Sequence, residues 1–599
     1  MLIDALCAYY DILAKANSNM IPPEKYRFIK ITHCVCLSED GKVDDIIDLR
    51  TNDKKGKPVV PVKRTYPDEQ TISAIKSVIL DYRPQYVFGL MIKDGKYVTV
   101  AKKHQAYKNI NEAFFGRIKE TNALIKAFNL FLSSWNPNEE TNNKALGLIK
   151  ADYTQAQFTF ALSGKPNEEL QENENIKELW ENGLYEIMVN NSCEIKNECA
   201  VTGKYGSIAK THDKIMGSGT GVSLINIKQD SMISYGNSAG KNSSISFDSM
   251  KKYTTVLNCM KQSKMHHKFI KGTDVFFWAM NNTENEVKIL RRELFISDEE
   301  DTLDAYQVNQ SMASITNNTS TGMITKNDLD NNKYDPNVDF YIVGIDQTKG
   351  RFAIKWIVKN KFASIMESVA EFQHDLGVVP ADCSYPTSIS NVLSGLISTK
   401  ASNSVVPANI SSSMYSSVFK GKPLPYAVLC MAVNRLKTDH RCDNINKASM
   451  IEITKTRVKT VKACIVRYNR DKGQKEELNM ALDLNNTNPY YLCGRLFAVL
   501  EKMQIDSAPD LNRTIKEAYF ASAASTPAMI LPKLINLSNH HARKLNESAQ
   551  VYYSKLIGSI IDMVNGEFPK TADIPSQGMF MVGYYQQKED LYISKSKAV

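Results

Sequence analysis

The stretch Phe340-Tyr-Ile-Val-Gly-Ile-Asp-Gln-Thr-Lys-Gly350-Arg-Phe-Ala-Ile-Lys-Trp-Ile-Val358 reads as two β-strands around a turn. Phe352, Ile354, Trp356 and Val358 recur with a period of two, the spacing that places side chains on one face of a strand, and Gln347 to Gly350 supplies the turn. The same signal occurs twice upstream. Residues 28–37 are rich in β-favouring types, turn at Asp40-Gly41 and return through 43–49; Asp94-Gly95 joins 86–92 to 97–100, because glycine admits the positive φ such turns require. Helical spacing governs other stretches. Leu2, Leu6, Tyr9, Tyr10 and Leu13 open the chain with an amphipathic helix, helical periodicity runs from 110 to 133, and 490–503, 511–522, 527–545 and 549–563 are separated by punctuation at Pro509, Pro527, Gly566 and Pro569. Short connections favour antiparallel helical neighbours. The expected fold is therefore α+β: mixed amino-terminal and central lobes with β-hairpins, then a carboxy-terminal antiparallel helical bundle. The expected partition is 1–330, 331–479 and 480–599, with the polar tract 317–337 as a long loop or boundary and no internal repeat.

A chain of 599 residues exceeds one core, and 43% hydrophobic content supplies ample burial. The formal charge of +9 permits a polyanionic partner without requiring one. Its distribution is more telling: residues 435–475 hold twelve Lys/Arg against four Asp/Glu. The eleven cysteines include no C-x-x-C pair, which fits reduced thiols. Asp4 and Asp11 fall where a secretory apolar region would lie, and no run of about 18 apolar residues occurs, so the expected location is cytoplasmic with no membrane contact.

Catalytic patterns fail on spacing. Gly217-Ser-Gly219-Thr-Gly221 matches neither the P-loop nor the dinucleotide fingerprint, and Ser223 is followed by Leu224 and Ile225 rather than by an elbow glycine. Glycines there would still let backbone N–H groups approach a nucleic-acid phosphate. His212-Asp213 and His374-Asp375 resemble pairs of metal-dependent phosphohydrolases, but nine histidines give no ordered companion set. His266-His267 and His540-His541 are read as helical, where neighbours point about 100° apart. Asp328-x-Asp330-x-Asn332 begins like a calcium loop, yet Lys333 stands where the turn needs glycine. The acidic run Asp298-Glu-Glu-Asp301 reads as solvated surface.

Basic patterns are stronger. Lys54, Lys55, Lys57, Lys63 and Arg64 lie on a Gly/Pro-containing connection. Lys455, Arg457 and Lys459 alternate with apolar residues and, read as a strand, present a ribbon of charge that continues through Lys462, Arg467 and Arg470. A solvated edge strand is the alternative.

Between Cys199 and Trp278 the chain carries Cys199-Ala-Val-Thr-Gly203, His212-Asp-Lys214-Ile215, Gly219-Thr-Gly221-Val-Ser223, Ser234-Tyr-Gly236, Gly240-Lys-Asn242, Tyr253-Thr-Thr-Val-Leu-Asn258 and Asp274-Val-Phe-Phe-Trp278. Asp48-Leu49-Arg50 and Tyr86-Val-Phe-Gly89 precede it. Gly494-Arg495 and Gln577-Gly578-Met-Phe-Met-Val-Gly583-Tyr-Tyr-Gln586 close the chain, with Gln586 where a His is often found. This order resembles the large subunit of the type I-C CRISPR surveillance complex over nearly the whole length.

The resemblance implies a non-enzymatic subunit with no cofactor or metal. Its implied partners are the guide RNA, target duplex DNA with its displaced strand, the backbone, guide-processing and small subunits, and a helicase-nuclease that performs cleavage. It also implies contact with the guide's repeat-derived handle, recognition of a short adjacent motif and assistance in opening the duplex. Internal translation from Met480 would produce a free small subunit. On this reading Lys54, Lys55, Lys57, Lys63 and Arg64 contact duplex or guide phosphates, and Lys214, Gly219, Gly221, Lys241 and Asn242 belong to a nucleic-acid- or subunit-facing block. Lys455, Arg457, Lys459, Lys462, Arg467 and Arg470 are assigned to the strand path on charge pattern alone. The alternatives are a metal-dependent nuclease built on His212-Asp213 and an RNA-processing or scaffolding component of the same system.

Overall fold

A computed structural model of the chain describes residues 2–52, 58–68, 76–118, 122–185, 187, 195–215, 221–226, 230–237, 239–270, 272–294, 334–348, 351–379, 387–399, 405–439, 447–474, 478–508 and 513–596. The fold is α+β, in two compact units, Met1–Cys259 and Met260–Val599. This partition differs from the three segments expected from sequence. Most of the 317–337 tract, the 298–301 acidic run and the Asp328–Asn332 pattern lie outside the described residues.

In the first unit, α1 (Leu2–Lys15) buries Leu2, Leu6, Tyr9, Tyr10 and Leu13, as its spacing requires. β1 (Tyr26–Ile31) pairs antiparallel with β6 (Val62–Pro67). β2 (His33–Leu37) is buried throughout and lies between β3 (Val43–Asp48), antiparallel across the Asp40-Gly41 turn, and β9 (Phe158–Leu162), parallel. β4 (Thr51–Asn52) and β5 (Pro58–Val60) form a short ladder. β7 (Leu90–Lys93) and β8 (Lys96–Thr99) form the second expected hairpin, with positive φ at Asp94 and Gly95. That hairpin starts later than expected because Pro84 begins a helical turn, Pro84–Val87. α2 (Ala101–Phe115) and α3 (Ala123–Ser134) close over an aromatic core of Phe88, Phe128, Phe131, Phe158 and Phe160. Two small ladders follow, β10 (Lys196–Glu198) with β11 (Tyr205–Ser207) and β12 (Lys214–Ile215) with β13 (Val222–Ser223), before α4 (Phe247–Gln262).

The second unit is built on an antiparallel sheet of β14 (His267–Ile270), β15 (Thr273–Ala279), β16 (Asp339–Thr348) and β17 (Arg351–Lys361), with α5 (Asn285–Leu294) between the second and third strands. The hairpin read from 340–358 is β16–β17. Its register slips at Gly344/Ile345, opposite Trp356 and Ile354, so the simple alternation breaks: Trp356 and Val358 are buried while Ile354 is exposed. His267 opens β14 and His266 lies in the turn before it, rather than both on a helix, because residues 267–270 pair with β15.

The helices then run α6 (Phe362–Leu376), α7 (Ile389–Gly395), α8 (Ala408–Phe419), α9 (Tyr426–Thr438), α10 (Lys447–Asp471), α11 (Pro489–Ser507), α12 (Ile515–Ser525), α13 (Pro527–Ala542), α14 (Glu547–Met563) and α15 (Ile574–Ser596). All four expected terminal helices are present, and the terminal motif forms a fifth. α11 is buried from Tyr491 to Met503 and touches α15 backbone to backbone. A Cβ on Gly494 would overlap the Phe580 carbonyl oxygen, and one on Gly583 would overlap the Tyr491 carbonyl oxygen. Gln586 fixes the contact by accepting from the Tyr491 hydroxyl (2.6 Å) and donating to the Asn479 carbonyl (2.7 Å). One continuous core runs from Ile270 to Leu591, with no break at residue 480. Gly578 abuts Val461 and Ile465 of α10, and Lys437 of α9 donates to Gln577 at 2.9 Å.

These glycines should rank by what they touch. Gly494→Ala and Gly583→Ala force backbone apart and are expected to cost about 3 kcal/mol or more, whereas Gly578→Ala meets only side-chain ends and should cost about 1 kcal/mol. Denaturant midpoints of the three variants check the ranking, and equal shifts would refute the backbone contact.

Candidate nucleic-acid interface

The block from Cys199 to Trp278 is held by short polar contacts. Cys199 closes a tight turn, with Gly203 N–H donating to its carbonyl at 2.8 Å, and its sulfur accepts from the Ser246 backbone N–H at 3.3 Å. Burial alone would raise this thiol's pKa, but hydrogen bonds from Ser246 and Ser249 pull it down to about 6. Segment 243–246 stitches the ladders together: Ala200 N–H donates to Ser244, Ala209 N–H to Ile245, and the Ser244 hydroxyl to the Glu198 carbonyl. Lys251 of α4 is buried between Asp68 (2.9 Å) and Asp213 (2.7 Å), while Lys252 pairs with Asp11 and Asp248.

What this body shows to solvent is basic. Lys196, Lys204, Lys210, Lys214 and Lys241 are exposed, against a single exposed acid, Glu198, among the described side chains of 195–215, 221–226 and 241–246. Gly221 is required by the β12–β13 ladder, since a Cβ there would lie 2.9 Å from the Ile215 carbonyl oxygen. Asn242 is a brace: its amide group donates to the carbonyls of Met232 (2.9 Å) and Asn237 (2.7 Å). Gly219 lies outside the described residues.

Lys54, Lys55 and Lys57 also lie outside the described residues, in the 53–57 connection between β4 and β5. Lys63 is exposed, with its ammonium 3.4 Å from the Phe28 ring centroid and donating to the Asn19 carbonyl. Arg64 is engaged within the fold, its guanidinium forked onto the buried Glu169 at 2.7 and 2.9 Å.

The second basic group requires correction. Lys455 to Arg470 form no strand; they lie on α10, and Lys455, Arg457, Lys459, Lys462 and Arg467 are buried. Arg457, 1% exposed, donates to the carbonyls of Gly395 (2.7 Å) and Ile397 (3.0 Å) and pairs with Asp439 at 3.0 Å. Lys459 donates to the Thr387 hydroxyl and Lys462 to the Asp375 carbonyl, both at 3.1 Å. Arg467 and Arg470 clamp the fully buried Asp375 carboxylate at 3.2 and 2.6 Å. Only Arg470 of the six keeps substantial exposure. Apart from Arg470, these cations are spent inside the second unit and are not displayed to solvent as a ribbon of charge.

The His-Asp pairs diverge as well. His212 bonds the Tyr253 hydroxyl at 2.6 Å, and burial pushes its imidazole down to about 4, so it is neutral at pH 7. Asp213 faces Lys251 instead. Asp375 faces inward from α6 while His374 faces solvent. No group of three or more His, Cys, Asp or Glu among the described residues is placed to hold a metal ion. Two residues that sequence reading passed over stand out: Tyr205 and Tyr235 are large aromatics in solvent within the basic block.

Over residues 6–592 the chain matches the family model described as CRISPR-associated protein (Cas_Csd1). The chain belongs to that family. Membership makes it a CRISPR-associated protein of the surveillance-complex type and accounts for a match spanning both units. No curated protein matches it. Several residues of the shared pattern are structural: Arg50 forks onto Asp48 and Asp152 (both 2.6 Å), the Phe88 carbonyl accepts from Trp135 at 3.0 Å, and Gly494 and Gly583 form the helix contact. No helix among the described residues is long and apolar enough to cross a membrane.

If α10 is internal scaffolding, Arg457→Ala removes the shortest ion pair of the buried Asp439, leaving it Arg435 at 3.5 Å, and should destabilise the protein by about 3 kcal/mol, whereas the exposed Lys241→Ala should stay within about 0.5 kcal/mol. Equilibrium unfolding in urea reads both. A loss under about 1 kcal/mol for Arg457→Ala would return that guanidinium to solvent and reopen the strand-path assignment.

Proposed function

We propose that the chain is the large subunit of a type I-C CRISPR surveillance complex, which checks a short motif in duplex DNA, helps to open it and holds the displaced strand. Guide RNA reads the target by base pairing, so the protein's task is to recognise the motif and stabilise the opened state. The observation that carries this reading is the family match across residues 6–592, and the exposed lysines of the 196–241 block agree with it in charge. Lys54, Lys55, Lys57 and Lys63 supply phosphate contacts near the motif, and Lys204, Lys214 and Lys241 supply them on the hairpin block. Phosphate contacts fix register without reading sequence, so motif recognition requires further contacts to base edges or shape. The subunit contacts the guide's handle, joins the backbone, guide-processing and small subunits, and presents opened DNA to a helicase-nuclease. It cuts nothing itself.

Replacing Lys54, Lys55 and Lys57 together with Ala should leave the guide-RNA complex assembled while weakening duplex binding. Loss of about three phosphate contacts should reduce the slope of log affinity against log salt by roughly 2–3. Filter binding across a salt series measures it; an unchanged slope would remove these lysines from the interface.

A further inference from the structure

Tyr235 is the most exposed large apolar side chain described, with 101% of its reference area in solvent. It sits at the tip of a two-residue hairpin loop: Ser234 and Asn237 exchange backbone hydrogen bonds at 3.3 and 2.8 Å, and the two residues between them both have positive φ, +49° at Tyr235 and +73° at Gly236. A turn with positive φ at both central positions favours Asn, Asp or Gly at the first, because an aromatic L residue is strained there. Turn chemistry therefore does not account for the tyrosine, and neither does packing, since its ring is bare. Asn242 braces the loop from beneath through the Met232 and Asn237 carbonyls, so the ring is presented on a fixed support. Lys241 adjoins that brace and is exposed, and Tyr205, 75% exposed, stands on β11 beside the exposed Lys204.

Solvent-exposed aromatic faces in a block whose exposed charge is basic match the chemistry of an unpaired nucleic-acid strand, in which bases stack on rings and phosphates meet cations. Met232 (37%) and Ile233 (48%) are exposed in the same loop, so apolar faces on which bases stack stand beside the exposed lysines of the block, and that basic charge favours a polyanion over a protein partner. We infer that Tyr235 is a base-stacking residue for single-stranded nucleic acid, with Asn242 as its positioning residue and Lys241 as a neighbouring phosphate contact. This rests on the nucleic-acid reading proposed above and adds the chemical class of ligand, unpaired bases, and the residue that meets them.

The test uses the full chain, alone and assembled in its CRISPR complex, with a single-stranded oligodeoxynucleotide carrying 2-aminopurine. Tyr235→Ala, which removes a side chain with no partner among the described residues, should weaken binding about 10- to 100-fold, relieve 2-aminopurine quenching and leave the salt slope unchanged. Tyr235→Trp should restore both affinity and quenching. Lys241→Ala should weaken binding while lowering the slope by about 0.7. If wild-type protein binds and Tyr235→Ala stays within twofold of it, the stacking inference is overturned while the nucleic-acid reading stands. If wild type binds no nucleic acid in either state, both fall. If Tyr235→Ala binds DNA normally but no longer assembles with the other subunits, the ring is a protein contact and the inference is likewise overturned.

Discussion

The backbones of α11 and α15 meet where Gly494 faces Phe580 and Gly583 faces Tyr491, a contact that admits no Cβ from either glycine. Helices this close leave no room for a layer of side chains between them at that point. Their remaining side chains are displaced to either side, where Tyr491 reaches Gln586, Arg495 reaches Gln587 at 3.0 Å and the Tyr584 hydroxyl donates to the buried Glu501. α15 then offers its next face to α9 and α10 through Gly578, so the terminal helices and the sheet-bearing region close over one core.

That closure decides the fate of the most basic segment in the sequence. α10 cannot keep Lys455, Arg457, Lys459, Lys462 and Arg467 in water once α6, α7 and α15 pack on it, and a buried cation is tolerated only with compensating oxygen atoms. Asp375, Asp439 and the carbonyls of Asp375, Gly395 and Ile397 provide them. Such pairs add little net stability relative to an apolar core, yet removal of one partner is costly, so they specify how the helices dock. Exposed cations occur elsewhere, among them Lys204, Lys214 and Lys241 of the small-hairpin block in the first unit.

Local signals were legible where they were strong. Asp-Gly pairs marked two hairpins, and apolar spacing marked α1 and the helices after residue 489. The α10 strand reading failed because Lys455-Thr-Arg457-Val-Lys459 alternates over too few residues. Across all 25 residues of the helix, Val458, Val461 and Ile465 follow helical spacing and neither Gly nor Pro interrupts. Charge density misled for a related reason: sequence gives the number of cations but not the carboxylates and carbonyls that distant segments bring to them. In the block before Trp278, the local roles were not legible: Gly221 fits the β12–β13 ladder and Asn242 braces the loop through the Met232 and Asn237 carbonyls. Tyr235 was passed over because nothing in Ser-Tyr-Gly-Asn distinguishes a ring in solvent from one in a core.

On the proposed reading labour is divided: Lys455, Arg457, Lys459, Lys462 and Arg467 of α10 are internal, and Lys204, Lys214 and Lys241 of the hairpin block meet the nucleic acid. Lysine acetylation footprinting with and without bound target DNA tests this division most directly. Lys204, Lys214 and Lys241 are expected to react in the free complex and to be protected by DNA, while Lys455, Lys459 and Lys462 stay unreactive in both states. Ready acetylation of Lys459 and Lys462 in the free complex, with protection by DNA, would contradict it.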